Sequence, residues 1–297
     1  MTEPHMGGTY DQQLEAANWA EEAGLYSFAR CDHYLSNRDP VPEATDAFSV
    51  LSGLARDTSD IRLCVLVSPI TFRHPAVILK NAATIDQMSG GRLDLGVGTG
   101  WMEHEHESFG LPFPDASERW DRFEDALGYL QAGFSSGHSK YDGKFYSLDA
   151  TVEPKPTGLR LVIGGSGPSR TPTLAGEVAD EYNLMVCGPD DARERVDVMR
   201  EAAGDREVEV TMMGPVLIGG DEAEYRDRLA EAAKTRGADP DELEKRWQQA
   251  GIVTGSREKA REQMAALEDA GVERYYVQWI DLDDLDGMKR TFEVLLG

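Results

Sequence analysis

Two adjacent side chains that can exchange protons, Asp32 and His33, directly follow a segment from Leu25 to Arg30 that is typical of a strand. Residues at the carboxyl end of a parallel strand face the active-site mouth of an α/β barrel. An imidazole titrates near neutrality, so His33 is a candidate general acid or base. By residue type alone the pair could instead cap the following segment, and both interpretations stay open at this point.

A glycine-rich turn formed by Gly98, Thr99 and Gly100 follows the apolar segment from Leu93 to Val97. A turn with almost no side chains lets another group approach its backbone closely. We therefore expect this turn to pack beside a ligand.

A second glycine-rich turn follows the predicted strand from Leu159 to Ile163 and precedes a helix. Exposed backbone N–H groups and a helix N-terminus suit a phosphate, and the positive charge of Arg170 adds to this preference. A tight turn without a ligand is the alternative, and we favour phosphate binding. The residues of this turn are Gly164, Gly165, Ser166 and Gly167.

The segment from Trp101 to Gly110 carries a cluster of acidic and histidine side chains. His104 and His106 could ligate a metal, but their spacing of two suits a strand rather than a helix, and the HExxH motif is absent. We therefore predict a polar active-site loop without a metal, in which Glu103 is a second candidate acid or base.

The predicted elements that position these residues alternate between strand and helix along the chain. The central unit begins with a β-branched strand from Ile61 to Val67, continues with a helix from Pro75 to Gly90 and ends with the strand at Leu93. This alternation predicts a parallel α/β barrel in a single domain, residues 1–297.

Two segments depart from this alternation. Met1 to Thr9 shows no strand pattern before the first predicted helix, Tyr10 to Ala23, so we expect the first strand to be missing or truncated. Residues 132–156 are irregular, and the aromatic residues around Gly143 suggest a hairpin or a lid that excludes water from the chemistry.

The composition excludes several classes of partner. With 54 acidic and 30 basic residues the net charge is −24, which argues against a nucleic acid or an anionic membrane as partner. The same charge predicts a halophilic protein, because salt screens the self-repulsion. Three isolated cysteines suggest neither a disulfide framework nor a metal motif. Without a membrane-length apolar run or a signal-peptide pattern, we expect a cytoplasmic protein.

Several sequence segments, taken in their order along the chain, resemble the luciferase-like monooxygenase superfamily, and within it the branch of coenzyme F420-dependent oxidoreductases. The longest is VSPITFRHPAVILKNAATIDQMSGGRLDLGVGTGW at residues 67–101. It is followed by GLPFP at 110–114, VIGGSG at 162–167 and ADEYNL at 179–184. Each segment is a weak match by itself, and the resemblance depends on the order and spacing of all of them together.

The resemblance implies a TIM (β/α)8 barrel of the bacterial-luciferase type and, as is usual in the family, a homodimer. It also implies hydride transfer between coenzyme F420 and a small organic substrate. Asp32 and His33 would contact the deazaflavin ring and the substrate. His33 would donate or accept the proton, and Asp32 would orient His33 or bond the ring.

The resemblance further implies where the cofactor lies. Its ring would sit above a strand bulge at Val67 and Ser68, where the superfamily often has a non-prolyl cis peptide, here expected between Val65 and Ser68. The turn from Gly98 to Gly100 would pack near the ring. The second turn, with Arg170, would hold the cofactor phosphate.

Three alternatives remain open. FMN shares a ring edge and a phosphate with F420, so an FMN-dependent monooxygenase fits the same turns. A non-catalytic flavin- or deazaflavin-binding protein is the second alternative. The third is a cofactor-free isomerase or aldolase barrel, which would need a lysine or metal at a strand end. In related F420-dependent sugar-phosphate dehydrogenases an acid follows the Gly-Thr-Gly turn; here Trp101 stands there, so we do not carry over that substrate.

Overall fold

The computed structural model describes all 297 residues and divides into two compact units. The first unit runs from Thr2 to Ile163, and the second comprises Met1 and residues Gly164 to Gly297. Each unit has its own parallel strands and its own helices. The single domain expected from the sequence stays a prediction.

The first unit contains four parallel strands and a separate hairpin. Its elements are α1 (Tyr10–Glu22), β1 (Ser27–Arg30), α2 (Ala47–Asp57), β2 (Arg62–Pro69), α3 (Pro75–Ser89), β3 (Leu93–Gly98), α4 (Glu103–Phe109), α5 (Ala116–Phe134), β4 (His138–Asp142), β5 (Ser147–Thr151) and β6 (Arg160–Gly165), whose last two residues belong to the second unit. β1 pairs with β2, β2 with β3, and β3 with β6, all in parallel. The carboxyl ends of β1, β2 and β3 therefore share one edge.

The predicted central unit of strand, helix and strand is confirmed. Val65 in β2 and Leu95 in β3 are fully buried, as expected for strands covered on both faces. Pro75 occupies the first turn of α3, where the missing N–H is not needed. Gly90 ends the helix with a φ of 73°, a left-handed conformation that glycine adopts without steric cost.

Only a single-residue bridge precedes β1 in this chain. Thr2 lies beside Arg30 in parallel, and its N–H donates to the carbonyl oxygen of Ala29 at 2.8 Å. A 3-10 turn at Pro4–Met6 follows. The pairing of this segment with β1 is limited to that bridge, and a missing or truncated first strand stays a prediction.

The prediction of a loop at Trp101 to Gly110 is wrong. Seven of these residues form α4, because Glu105 and His106 are buried on one side of a helical turn. His106 also bonds the carbonyl oxygen of Met102, four residues earlier, through Nδ1 at 2.8 Å. Gly110 ends the helix with a φ of 67°.

The segment at 132–156 contains the antiparallel hairpin of β4 and β5. Asp125 of α5 holds the turn of this hairpin, since its carboxylate accepts the N–H groups of Phe145 at 2.6 Å and Tyr146 at 2.9 Å. The hydroxyl of Tyr141 donates to the same carboxylate at 2.7 Å. A hairpin, one of the two alternatives expected here, is therefore confirmed, whereas a lid function stays a prediction.

The second unit also combines parallel strands with helices. Its elements are α6 (Arg170–Val178), β7 (Glu181–Met185), α7 (Pro189–Ala203), β8 (Glu209–Gly214), β9 (Val216–Gly219), α8 (Glu222–Arg236), α9 (Pro240–Gln249), β10 (Val253–Ser256), α10 (Arg257–Asp269), β11 (Arg274–Val277) and α11 (Leu285–Leu296). β7 and β11 flank β8 in parallel, and β9 pairs with β10. None of the helices has the length and apolar character that crossing a bilayer requires.

The chain from Glu209 to Gly219 forms two consecutive strands, β8 and β9. They are separated at Pro215, which has no N–H to give to a ladder. β9 then pairs with the segment from Val253 to Ser256, which the sequence pattern did not identify as a strand.

We predict that Asp125→Ala loosens the hairpin. The substitution leaves the N–H groups of Phe145 and Tyr146 without their acceptor, and hydrogen bonds to a buried carboxylate contribute roughly 2 kcal/mol in total. The midpoint temperature of thermal unfolding should fall by several degrees, and limited proteolysis should cleave the chain within residues 138–151. Asp121→Ala, which removes a half-exposed partner of Lys144, is the control and should change little. Equal losses in both variants would contradict the anchoring role.

Candidate active site

Asp32 lies at the shared carboxyl edge of the strands, with only 1% of its surface exposed. The hydroxyl of Ser68 donates to its Oδ2 at 2.7 Å. Arg73 pairs with both carboxylate oxygens, through Nη1 on Oδ2 and through Nη2 on Oδ1 at 3.1 Å. The same Nη2 also donates to Asp46 at 2.5 Å. One guanidinium thus pairs with two carboxylates at this edge, and the three groups together keep a net negative charge.

The pKa values of Arg73 and its partner Asp46 agree with this pairing. Burial opposes the charge of Arg73, but the carboxylate of Asp32 raises its pKa above the usual range. Burial likewise opposes the charge of Asp46, yet the N–H of Ser49 and the guanidinium of Arg73 hold its pKa below the usual value. The charges of Arg73 and Asp46 therefore persist at neutral pH.

His33 is held by a carboxylate that the sequence did not single out. Its Nδ1 lies 3.0 Å from Oε2 of Glu105, which is completely buried in α4. The other oxygen of Glu105 accepts the backbone N–H groups of Tyr34 and of Leu35, the latter at 2.9 Å. Glu105 thus holds both the ring and the chain that follows it. Asp32 does not orient His33, because Asp32 is bonded to Ser68 and Arg73 instead.

The partner of Nδ1 sets the tautomer of the His33 ring. Burial alone would raise the pKa of Glu105, but the hydrogen bond and charge of His33, followed by the N–H groups of Tyr34 and Leu35, lower it below the usual value. An ionised carboxylate can only accept, so Nδ1 of His33 must carry a hydrogen. Nε2 makes no hydrogen bond within the protein and is left to take up or release a proton.

A buried cluster of Glu3, His5 and Cys31 adjoins His33. The rings of His5 and His33 lie 4.7 Å apart, and Nδ1 of His5 is 3.2 Å from Sγ of Cys31 and 3.3 Å from Oε2 of Glu3. Burial and the charge of His33 lower the pKa of His5, and burial raises that of the Cys31 thiol. The three ligand atoms are close enough to hold a metal, but hydrogen bonding within the cluster already accounts for their positions.

The bulge expected in β2 is present beside Asp32. The pairing of β2 with β3 shifts between Val65 and Ser68, and the peptide between Leu66 and Val67 is cis, within the span expected. A side chain at Gly96 would collide with the carbonyl oxygen of Val65, so glycine is needed opposite the bulge.

The first glycine-rich turn lies at this edge as well. Gly98 ends β3, Thr99 follows it, and Gly100 has a φ of 78°. A Cβ at Gly100 would lie 2.8 Å from Oγ1 of Thr71, which reserves the position for glycine. The structure thus places this turn, Val67, Ser68, Asp32 and His33 at one edge of the sheet; their contact with a cofactor stays a prediction.

The histidines and acids of α4 have different roles from those expected. Glu103 is exposed at the first residue of α4 and makes no hydrogen bond to His33. His106 is bonded at both nitrogens, by Nδ1 to Met102 and by Nε2 to Oγ1 of Thr71 at 2.6 Å. No nitrogen of His106 is left for a metal shared with exposed His104.

The second glycine-rich turn belongs, from Gly164 onward, to the second unit. It leads into α6, whose N-cap, Ser169, gives no side-chain hydrogen bond to the first turn. Side chains at Gly165 or Gly167 would press against Thr171, with a Cβ at Gly167 only 2.9 Å from its Oγ1. Gly164 is half-buried, Ser166 and Arg170 are exposed, and the uncapped N–H groups of α6 are suited to an anion.

Glu105, Arg73 and Asp46 are the important residues that sequence reasoning missed. A usable signal existed for Glu105, because Met102, Glu105 and His106 have the spacing of one helix face. Arg73 and Asp46 have no such local signal, since their partners lie 27 to 41 residues away in the sequence.

Comparison with known proteins identifies relatives and the fold. Residues 1–277 match the family model of the luciferase-like monooxygenases. The F420-dependent glucose-6-phosphate dehydrogenase of Beutenbergia cavernae is 37% identical over 166 residues, 55% of this chain and 49% of that protein. The pyrimidine monooxygenase RutA of Yersinia enterocolitica is 29% identical over 219 residues, 71% of this chain and 59% of that protein. The chain spans about half the length of the curated relatives it matches.

A solved structure shows the same fold. The crystal structure of monooxygenase RslO1 from Streptomyces bottropensis matches with a TM-score of 0.81 at 18% identity, covering 98% of this chain and 94% of that one. The predicted fold class, an α/β barrel of the luciferase type, is confirmed.

We predict that Glu105→Gln lowers the free energy of unfolding by roughly 2 kcal/mol at pH 7. The amide has one acceptor oxygen where the carboxylate has two, so either Nδ1–H of His33 or the backbone N–H groups of Tyr34 and Leu35 would face an NH2 group instead of an acceptor. The pKa of Glu105 is lowered by folding, so its stabilisation is complete above the unfolded value, 4.5, and is lost as pH falls through the folded value. The difference in the free energy of unfolding between wild type and variant should therefore disappear at acid pH. Denaturant unfolding at a series of pH values measures this difference. Glu107→Gln, exposed on the same helix, is the control, and a variant as stable as wild type at pH 7 would refute the role.

Proposed function

Since the chain belongs to the luciferase-like monooxygenase family, we propose that it is an F420-dependent oxidoreductase that transfers a hydride between the deazaflavin and a small organic substrate. The observation that carries the proposal is His33, whose Nδ1 is held by buried Glu105 while Nε2 is left unbonded at the edge of the parallel strands. The similarity to a dehydrogenase named as F420-dependent supports this choice of cofactor.

The residues present fit such a cofactor in two places. The uncapped N-terminus of α6, with Gly164 to Gly167 before it and Arg170 in its first turn, suits the cofactor phosphate. The edge at Val67, Ser68 and the turn from Gly98 to Gly100 bears only short side chains, which suits a flat ring. When bound, the deazaflavin supplies two-electron hydride chemistry, since it has carbon at position 5.

In this proposal His33 moves the proton at Nε2. Glu105 supports it, because the carboxylate stabilises the ring when it is positively charged. Asp32, fixed by Arg73, holds the hydroxyl of Ser68 at the bulge and thereby shapes the ring-binding edge. Glu103 has no contact with His33, so we assign the proton transfer to His33 rather than to Glu103.

We also retain three proposals that the composition and the family support. The protein would be cytoplasmic, would form a homodimer and would work at high salt. The net charge of −24 supports the last of these, because screening relieves repulsion between the acidic helices.

An FMN-dependent monooxygenase is the second candidate, favoured by the similarity to the pyrimidine monooxygenase. Titration of the purified protein with F420 and separately with FMN, in high salt and followed by cofactor fluorescence, distinguishes the two. We expect roughly micromolar or tighter binding of F420 and much weaker binding of FMN. Preference for FMN would move the function to oxygen chemistry. Tight F420 binding without turnover on a broad panel would indicate a non-catalytic binding protein.

We predict that Arg170→Ala weakens F420 binding about tenfold, the loss expected for one charge-assisted contact to a phosphate. The readout is the dissociation constant from the fluorescence titration. Arg193→Ala removes an exposed arginine of α7 that pairs with Asp190, and it should leave the constant unchanged. Unaltered binding in Arg170→Ala, or no F420 binding by the wild type, would remove the turn from Gly164 to Arg170 as the phosphate site.

A further inference from the structure

We propose that the substrate that reacts beside His33 is an uncharged carbonyl compound, or the matching alcohol, with an apolar or aromatic body, and that Trp101 selects it. The inference rests on the proposed F420 chemistry and adds the substrate class. In the reducing direction the carbonyl carbon takes the hydride as the C=O π bond breaks. The oxygen then takes the proton that His33, as the imidazolium, carries on Nε2, which leaves the neutral ring with its hydrogen on Nδ1. The reduced deazaflavin would supply both electrons and be oxidised.

An exposed aromatic surface lies directly beside the proton-transfer group. Trp101 is 69% exposed, and its ring meets that of His33 edge-on at 5.6 Å between centroids. Phe109 at the other end of α4 is 54% exposed and packs edge-on against Tyr34 at 5.7 Å. Exposing a large aromatic side chain to water costs free energy, and a ligand that covers the side chain removes this cost. An apolar substrate at His33 would cover Trp101.

The two buried arginines near His33, Arg73 and Arg30, already bond to other groups of the protein. Arg73 is shared between Asp32 and Asp46, as described above. Arg30 is completely buried and donates to the carbonyl oxygens of Cys31 at 2.9 Å and Thr45 at 2.7 Å. Neither guanidinium is left to pair with a phosphate or carboxylate of a substrate.

The other charged side chains near His33 are two carboxylates and one arginine. Glu105 is an ionised carboxylate in contact with His33, and Glu3 adjoins the same ring through His5. Arg38 is the basic side chain in the segment after His33, and it donates to the carbonyl oxygen of Met6 at 3.1 Å. The local field therefore disfavours an anionic substrate, and Arg38 is the one side chain here that could offset it.

An uncharged, apolar substrate would set this chain apart from a relative of similar sequence. The Beutenbergia cavernae protein is named for glucose 6-phosphate, a dianionic sugar. In this chain Trp101 lies beside His33, and Arg30 and Arg73 already bond to groups of the protein. We therefore expect poor use of glucose 6-phosphate and good use of an aryl ketone.

The test compares acetophenone with glucose 6-phosphate in the cofactor-loaded protein, using Trp101→Glu, Trp101→Phe and the control Leu296→Glu, which also adds a charge at an exposed apolar residue. We expect turnover of acetophenone. Trp101→Glu should raise its KM at least tenfold while the dissociation constant of F420 stays unchanged, and Trp101→Phe should restore most of the loss. An unaltered KM in Trp101→Glu, or more efficient use of glucose 6-phosphate by the wild type, would overturn the inference.

Two further measurements keep this result separate from failure of the proposed function. Arg38→Ala should leave acetophenone turnover unchanged, whereas loss of glucose 6-phosphate turnover in that variant would show an anionic subsite and overturn the inference. Saturation-transfer NMR of both compounds with the cofactor-free protein needs no F420. A signal for acetophenone that Trp101→Glu abolishes supports the substrate class even if F420 does not bind, and a stronger signal for glucose 6-phosphate contradicts it.

Discussion

The buried carboxylate of Glu105 is the interaction on which the rest of this site depends. A fully buried charge is costly unless every oxygen is bonded, and Glu105 meets this condition with three donors from one stretch of chain, the His33 ring and the N–H groups of Tyr34 and Leu35. The carboxylate therefore fixes the ring and its backbone together. Its position in turn requires α4 to be a helix, which is why the segment after Gly100 folds as it does.

A second group of paired charges lies beside the first at the edge of the sheet. Arg73 joins Asp32 at the end of β1 to Asp46 at the start of α2, and it also lies over the ring of Phe48 at 4.8 Å. Because both carboxylates share this one guanidinium, the edge keeps a net negative charge. The pairing fixes Asp32, which accepts from Ser68 at the bulge, and leaves little positive charge for a substrate.

The sequence predicted the periodic elements well and the site only in part. Buried strands and capped helices leave local patterns, so β2, α3 and β3 were predictable from apolar runs, Pro75 and Gly90. The ends of these elements also led to Asp32, His33 and the glycine turns. Glu105 was not predicted, because a buried acid in a cluster of exposed acids looks like its neighbours until the fold brings His33 beside it. The break at Pro215 and the pairing of β9 with β10 depend likewise on contacts between distant segments.

Glu105 holds His33 in the tautomer that leaves Nε2 free for proton transfer. The direct measurement is the 15N NMR spectrum of the imidazole nitrogens, with the signals of His33 among the six histidines assigned by their loss in His33→Gln. Above neutral pH we expect a protonated Nδ1 and a bare Nε2 for His33. A spectrum with the proton on Nε2 would contradict the account, because Glu105 would then not accept from the ring and the proposed route of the proton would be closed.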